Sequence, residues 1–352
     1  MKVIKNSISV LFLIFNFYGC ENVFLEPDPQ NIPEQNFEIF WNDFDRYYAQ
    51  FSIRQINWDS VYALYRPQIT SSTTEQQLFN VISKIVRDIN DMHTDLYTPY
   101  GDVFWKSFIP SSYPSMKLIN ASKYIKRGSS QNSIIEYRTC QNSSIGYMVI
   151  PTFSGGTNGL TLTDERYFII DEILSKWKEM NGIIIDLRWN NGGNTNNAES
   201  VAGRFADRSR VYARYREKIG PGKQDFSEWK NSTISPKGNY QFLKPVVILT
   251  SRATSSAAEM FVMAMHSFPH VTVIGDTTGG GVGAPIYREL PNGWTYRLST
   301  RYYADAQQRI MEGVGIFPDV SILTTASDSS NGIDRILEKG IDIILNSNQQ
   351  IF

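Results

Sequence analysis

From Ile145 onward this 352-residue chain alternates short apolar runs with stretches of helical periodicity. Tyr147-Met148-Val149-Ile150, Ile183–Leu187, Val246–Thr250 and Val271–Ile274 read as strands. Asp164–Met180, Asn197–Ala206 and Ser256–His266 read as the helices between them. Such alternation predicts βαβ units and a largely parallel sheet, an α/β core. Tyr287–Leu290 and Trp294–Ser299 flank Pro291-Asn292-Gly293, a hairpin signal.

Two of the strand ends carry the chemistry. Val246-Val247-Ile248-Leu249 leads to Ser255-Ser256-Ala257-Ala258-Glu259, which places the Ser256 hydroxyl where a helix opens. Free backbone N–H groups and the helix dipole favour an oxyanion there. Ile183–Arg188 runs into Trp189-Asn190-Asn191-Gly192-Gly193, a glycine turn that exposes backbone amides. Together these ends suggest half of an acyl-transfer site. Ser256 also suits a plain helix N-cap, and Asn190–Gly193 a plain tight turn.

Upstream, Phe37, Phe40, Trp41, Phe44, Tyr47, Tyr48 and Phe51 recur at helical spacing. Ser72 with Glu75 reads as a capping box before a helix with one face at Leu78, Ile82, Ile85, Ile89 and Met92. Residues 36–99 therefore form an N-terminal helical region ending at Asp91-Met92-His93-Thr94-Asp95. Residues 100–140 read as an irregular connector, too short for a complete PDZ module, and residues 141–345 as the α/β core.

The charge balance is close to neutral, with a formal net charge of −1, so nucleic acid has no electrostatic case. At the N-terminus, Lys2 and Lys5 precede an apolar stretch from Ile8 to Phe17 that is too short to span a membrane. Residues 1–19 read as a signal peptide and residues 20–35 as a proline-bearing tether. Cys140 alone remains in the mature body, so no internal disulfide is expected.

Four segments in order resemble a known family. They are His93-Thr94-Asp95-Leu96, Asp186–Gly193, Ser256–Glu259 and Glu312–Asp319. The chain is similar, over roughly residues 36–345, to the C-terminal (tail-specific) processing serine peptidases. Within them it is nearest the branch of the tricorn core protease and the interphotoreceptor retinoid-binding protein repeats. The resemblance implies a ClpP/crotonase-like spiral of ββα units and hydrolysis of peptide or unfolded protein substrates without a cofactor or metal. It implies Ser256 as nucleophile, His93 as general base, Glu312 as orienting acid, and Gly193 and Ala257 amides as the oxyanion hole. Gly19-Cys20 likewise resembles a bacterial lipobox, which implies lipidation of Cys20 and an exported, membrane-anchored protein of the cell envelope.

The chain departs from the family in two places. The processing branch uses a lysine in a Gly-Lys-Gly turn, whereas Thr277-Thr278-Gly279-Gly280-Gly281 here has none. The tricorn protease carries a serine before its histidine, where this chain has Met92. The link from Glu312 to His93 is thus direct or runs through another group. Thr94, Gly192 and Arg188 are accessory candidates. Glu259 reads as a supporting helix residue, Arg188 with Asp186 as loop anchors, and His266 with His270 as an incomplete metal pair interrupted by Pro269. Two rivals keep the fold: a silent peptide- or ligand-binding lipoprotein, and an esterase.

Overall fold

A computed structural model describes residues 28–105, 123–126, 134–141, 144–156 and 163–347. The signal peptide, Cys20 and most of the connector lie outside the described residues. In chain order the helices are α1 (Pro33–Tyr47), α2 (Trp58–Tyr65), α3 (Glu75–Ile89), α4 (Ile169–Lys176), α5 (Thr195–Ala202), α6 (Ala257–His266), α7 (Ala326–Ser330) and α8 (Arg335–Ser347). The strands are β1 (Leu96–Tyr97), β2 (Glu136–Thr139), β3 (Ile145–Val149), β4 (Gly182–Asp186), β5 (Arg210–Glu217), β6 (Lys230–Ile234), β7 (Val246–Thr250), β8 (Val271–Gly275), β9 (Pro285–Glu289), β10 (Thr295–Ser299), β11 (Arg301–Asp305) and β12 (Val320–Ser321).

The central sheet runs β12-β8-β7-β4-β3-β2, parallel except for the β2–β3 pair. Its middle strands β4 and β7 are buried at every position, as their unbroken apolar sequences require of strands covered on both faces. Helices α4, α5 and α6 pack one face around Ile183, Ile185 and Ile248, while α8 covers Ile184, Val247 and Leu249 on the other. Successive parallel strands are neighbours joined by helical crossovers, which gives a spiral α/β core.

The helical N-terminal region does not close its own core. Phe37, Phe40, Phe44, Ile82 and Val86 share one buried cluster with Leu290, Trp294, Tyr296 and Leu298 of the β9–β10 hairpin. Strand β1 adds antiparallel to β10 as the third strand of that sheet. The helix expected over Phe37–Phe51 ends at Tyr47, because Tyr48 turns extended and the Ala49 amide donates to the Ser299 carbonyl. The capping box belongs to Thr74 and Gln77, not Ser72 and Glu75. Ser72 instead pairs its hydroxyl with Thr70 in the preceding turn. A further antiparallel sheet, β11-β5-β6, had no counterpart in the sequence reading.

Candidate active site

Strands β4 and β7 lie side by side and end at the same edge, so the loops after them meet. After β4, Asn190 shapes the glycine turn. Its Oδ1 accepts the Gly192 amide at 2.8 Å and its Nδ2 donates to the Ile150 carbonyl at 2.9 Å. Gly192 and Gly193 sit at φ +101° and +138°. A Cβ on Gly192 would lie 2.6 Å from the Ser256 Cβ, and one on Gly193 would strike the Phe153 backbone. Glycine is required at both. The Ser255 amide donates to the Asn190 carbonyl at 3.1 Å and ties the two loops together.

Ser256 takes φ +58° and ψ −127°, a strained conformation for a residue with a side chain. Glu259 holds it there. Its fully buried carboxylate accepts the amides of Ser256, Gly280 and Gly281 at 3.0, 2.8 and 2.9 Å and the Thr278 hydroxyl at 2.6 Å. The Ser256 hydroxyl faces His93, with Oγ 3.1 Å from Nε2. Across the same cleft, the amides of Gly193 and Ala257 donate to no acceptor among the described residues.

His93 sits in a turn built by Asp91. The Asp91 carboxylate accepts the His93 amide at 2.8 Å, the Thr94 hydroxyl at 3.3 Å and the Ser299 hydroxyl at 3.0 Å. Burial draws the imidazole's proton affinity down to about 4; Asp91 opposes this, while Arg297 and Arg54 reinforce it. The ring is therefore neutral in the resting site. Its Nδ1 is buried and has no acceptor among the described residues.

Glu312 does not touch that nitrogen. Its carboxylate accepts Arg54 Nη2 at 2.6 Å and the Val282 amide at 3.0 Å. Burial and Asp91 push its proton affinity up, against the pull of Arg54. Arg54 also donates to the Asn90 carbonyl at 2.6 Å and lies 3.6 Å from Asp91. One guanidinium thus clamps the Glu312 loop to the turn that carries His93. Neither Arg54 nor Asp91 stood out in the sequence, because each acts through partners distant in the chain.

The accessory candidates fall in three places. Thr94 is buried on Asp91, and Gly192 packs under Ser256. Arg188 lies away from the cleft, buried between Asp186 and Asp334 at 2.6 and 2.9 Å. His266 bonds Asp319 at 2.9 Å. The cleft around Ser256 has a volume of about 560 Å³ and is lined by Met92, Trp105, Met260, Pro285, Arg297 and Tyr303, among others.

With this geometry in place, the comparison with known proteins decides the family. The profile of peptidase family S41 matches residues 144–322, half of the chain, and that of the tricorn protease C1 domain matches residues 29–87.

The chain belongs to peptidase family S41.

Two relatives from Bacillus subtilis (strain 168) are similar over 52% of the chain: the carboxy-terminal processing protease CtpB at 32% identity and CtpA at 29%. The match covers 35% and 36% of those proteins, so the chain spans about a third of their length. A crystal structure of a protein from Parabacteroides merdae ATCC 43184 superposes with a TM-score of 0.77 at 30% identity, over 90% of this chain and 98% of the other. This S41 chain thus shares most of its architecture with a solved structure. Among its described residues no helix is long and apolar enough to cross a membrane.

Proposed function

We propose that this chain is an exported serine peptidase, an endopeptidase or a carboxy-terminal-directed one, that hydrolyses peptide bonds through an acyl-enzyme on Ser256. The observation that carries the reading is the 3.1 Å approach of His93 Nε2 to Ser256 Oγ, beside two amides in one cleft that donate to no acceptor among the described residues. Neutral His93 takes the hydroxyl proton as Oγ attacks the carbonyl carbon. The amides of Gly193 and Ala257 receive the oxyanion, and each such donor stabilises the transition state by about 2.7–4 kcal/mol. His93 then returns the proton to the leaving amine, and water repeats the cycle on the ester.

Glu312 enters this scheme as a positioning residue. It reaches His93 through Arg54 and the Asp91 turn rather than through the ring, and through Val282 it braces the loop whose Gly281 carbonyl accepts the Ser256 amide.

A diverse peptide mixture, with products read by mass spectrometry, tests the reading. Wild type should cleave; Ser256→Ala and His93→Ala should abolish cleavage. A folded wild type that cuts nothing would favour the binding-protein alternative, and cleavage of activated esters alone would favour the esterase. Lipid anchoring through Cys20 is part of the same proposal and rests on the sequence. Cys20→Ala should release the protein from the membrane fraction and abolish its labelling by a fatty-acid precursor.

A further inference from the structure

Asp91 closes the turn between α3 and β1, and three parts of the chain converge on its carboxylate. From its own turn the His93 amide and the Thr94 hydroxyl donate to it, and from β10 the Ser299 hydroxyl does. Arg54, in the turn after α1, comes to 3.6 Å, outside hydrogen-bond range. The Asp91 side chain is fully buried.

The other charges around this turn already have partners. Arg54 gives its short contact to Glu312, with Nη2 2.6 Å from Oε1. Arg297, on β10, pairs with Asp95. Glu259, on α6, is bonded to the Ser256 amide and to the Thr278–Gly281 loop, and its charge falls on Glu312. Tyr48, at the end of α1, keeps its proton because it is buried beside Asp91 and Glu312. Asp91 is left with neutral donors as its hydrogen-bond partners, next to the base.

The imidazole supplies the other half of the argument. To act as a base toward Ser256 it keeps its own proton on Nδ1, and that nitrogen has no acceptor among the described residues. Positive charge on the ring is therefore met through space. Asp91 is the carboxylate that favours that charge, against burial, Arg297 and Arg54. In a buried site an unpaired counter-charge acts strongly over such a distance.

Given the peptidase reading above, we infer that Asp91 is the counter-charge of the His93 imidazolium, a positioning residue in the role that the family resemblance assigns to Glu312. When Oγ adds to the carbonyl carbon, its proton passes to His93 Nε2. The negative charge then faces the Gly193 and Ala257 amides, and the positive charge appears beside Asp91. The cation that Asp91 lacks at rest forms as the barrier is climbed, so Asp91 acts on kcat more than on KM. Glu312 and Arg54 form a closed pair that holds the turn in place.

A peptide trifluoromethyl ketone built on the mapped cut captures that state. Oγ adds to the ketone carbon, the hydroxyl proton goes to His93, and the oxyanion stays on the adduct. Proton NMR of the imidazolium, followed through a pH titration, then reads how tightly His93 holds its proton. Asp91→Asn keeps the shape and one oxygen for the His93 amide. Its adduct should give up that proton about tenfold or more readily than the wild-type adduct. On the cognate peptide its kcat should fall by about tenfold or more, with KM within about twofold. Glu312→Gln should leave the adduct's proton as tightly held as in wild type, whatever it does to kcat. A folded Asp91→Asn adduct that holds its proton like wild type would overturn the inference. A Glu312→Gln adduct that loses it about tenfold more readily would do the same, and would give the charge to Glu312. Should Asp91→Asn fail to fold, the Glu312→Gln adduct still decides between the two carboxylates. An unchanged intact mass for wild type would mean that no adduct forms on Ser256, and would withdraw the peptidase reading together with this one.

Discussion

Ser256 and His93 lie 163 residues apart in the chain and meet as a neutral pair. Their protonation is what a pH experiment reads. The folded imidazole has a proton affinity near 4, against an ordinary value near 6.5, chiefly because it is buried. Below pH 6.5 the unfolded chain binds a proton that the folded one refuses, so stability falls as pH drops through the window from 6.5 to 4. The loss is about 3 kcal/mol from this residue. Urea unfolding at pH 7 and pH 4 should show wild type losing about that much more than His93→Gln. In kcat/KM the acid limb should lie near pH 4 rather than near 6.5, since the proposed base works only when its imidazole is neutral. Both catalytic candidates were legible in the sequence, because each lies in a short motif. Glu312 was legible as a residue but not in its connection. Its partners Arg54 and Val282 lie 258 and 30 positions away, and nothing local announces them.

The elements around Ser256 hold it in place through one carboxylate and two glycines. Glu259→Ala would leave buried amides and a hydroxyl without an acceptor and should cost more than about 3 kcal/mol by urea titration. Glu259→Gln keeps one acceptor oxygen and should fall between. Gly192→Ala places a methyl against Ser256 at a backbone angle foreign to alanine. It should lower kcat by about a hundredfold or more, as the neighbouring Gly193 amide is displaced, and cost about 1–3 kcal/mol of stability. The parallel strands and the helices between them were readable because apolar runs buried on both faces are unambiguous. The β11-β5-β6 sheet was not. Its β5 segment Arg210–Glu217 mixes arginine with tyrosine and alanine and is only partly buried along most of its length, so it carries less apolar signal.

At the scale of the whole molecule, the division into a helical region and an α/β core follows the sequence better than the packing. The helices look self-contained in their periodicity, yet their aromatic faces meet the β9–β10 hairpin some two hundred residues downstream. Periodicity names the buried face of a helix and is silent about what buries it. Phe44 is fully buried in that shared cluster. Phe44→Ala should cost about 3–5 kcal/mol, measured by urea unfolding, and should lower kcat as well, because the same hairpin seats the turn of His93.

That shared cluster also sets a timetable. During synthesis the ribosome delivers His93 long before the hairpin on which its turn rests, and Ser256 emerges while the hairpin is still to come. Until residues 285–299 leave the exit tunnel, no surface exists to bring the two together. An unfinished copy therefore holds Ser256 and His93, the proposed nucleophile and base, on separate stretches of polypeptide, and their pairing arrives only with the hairpin.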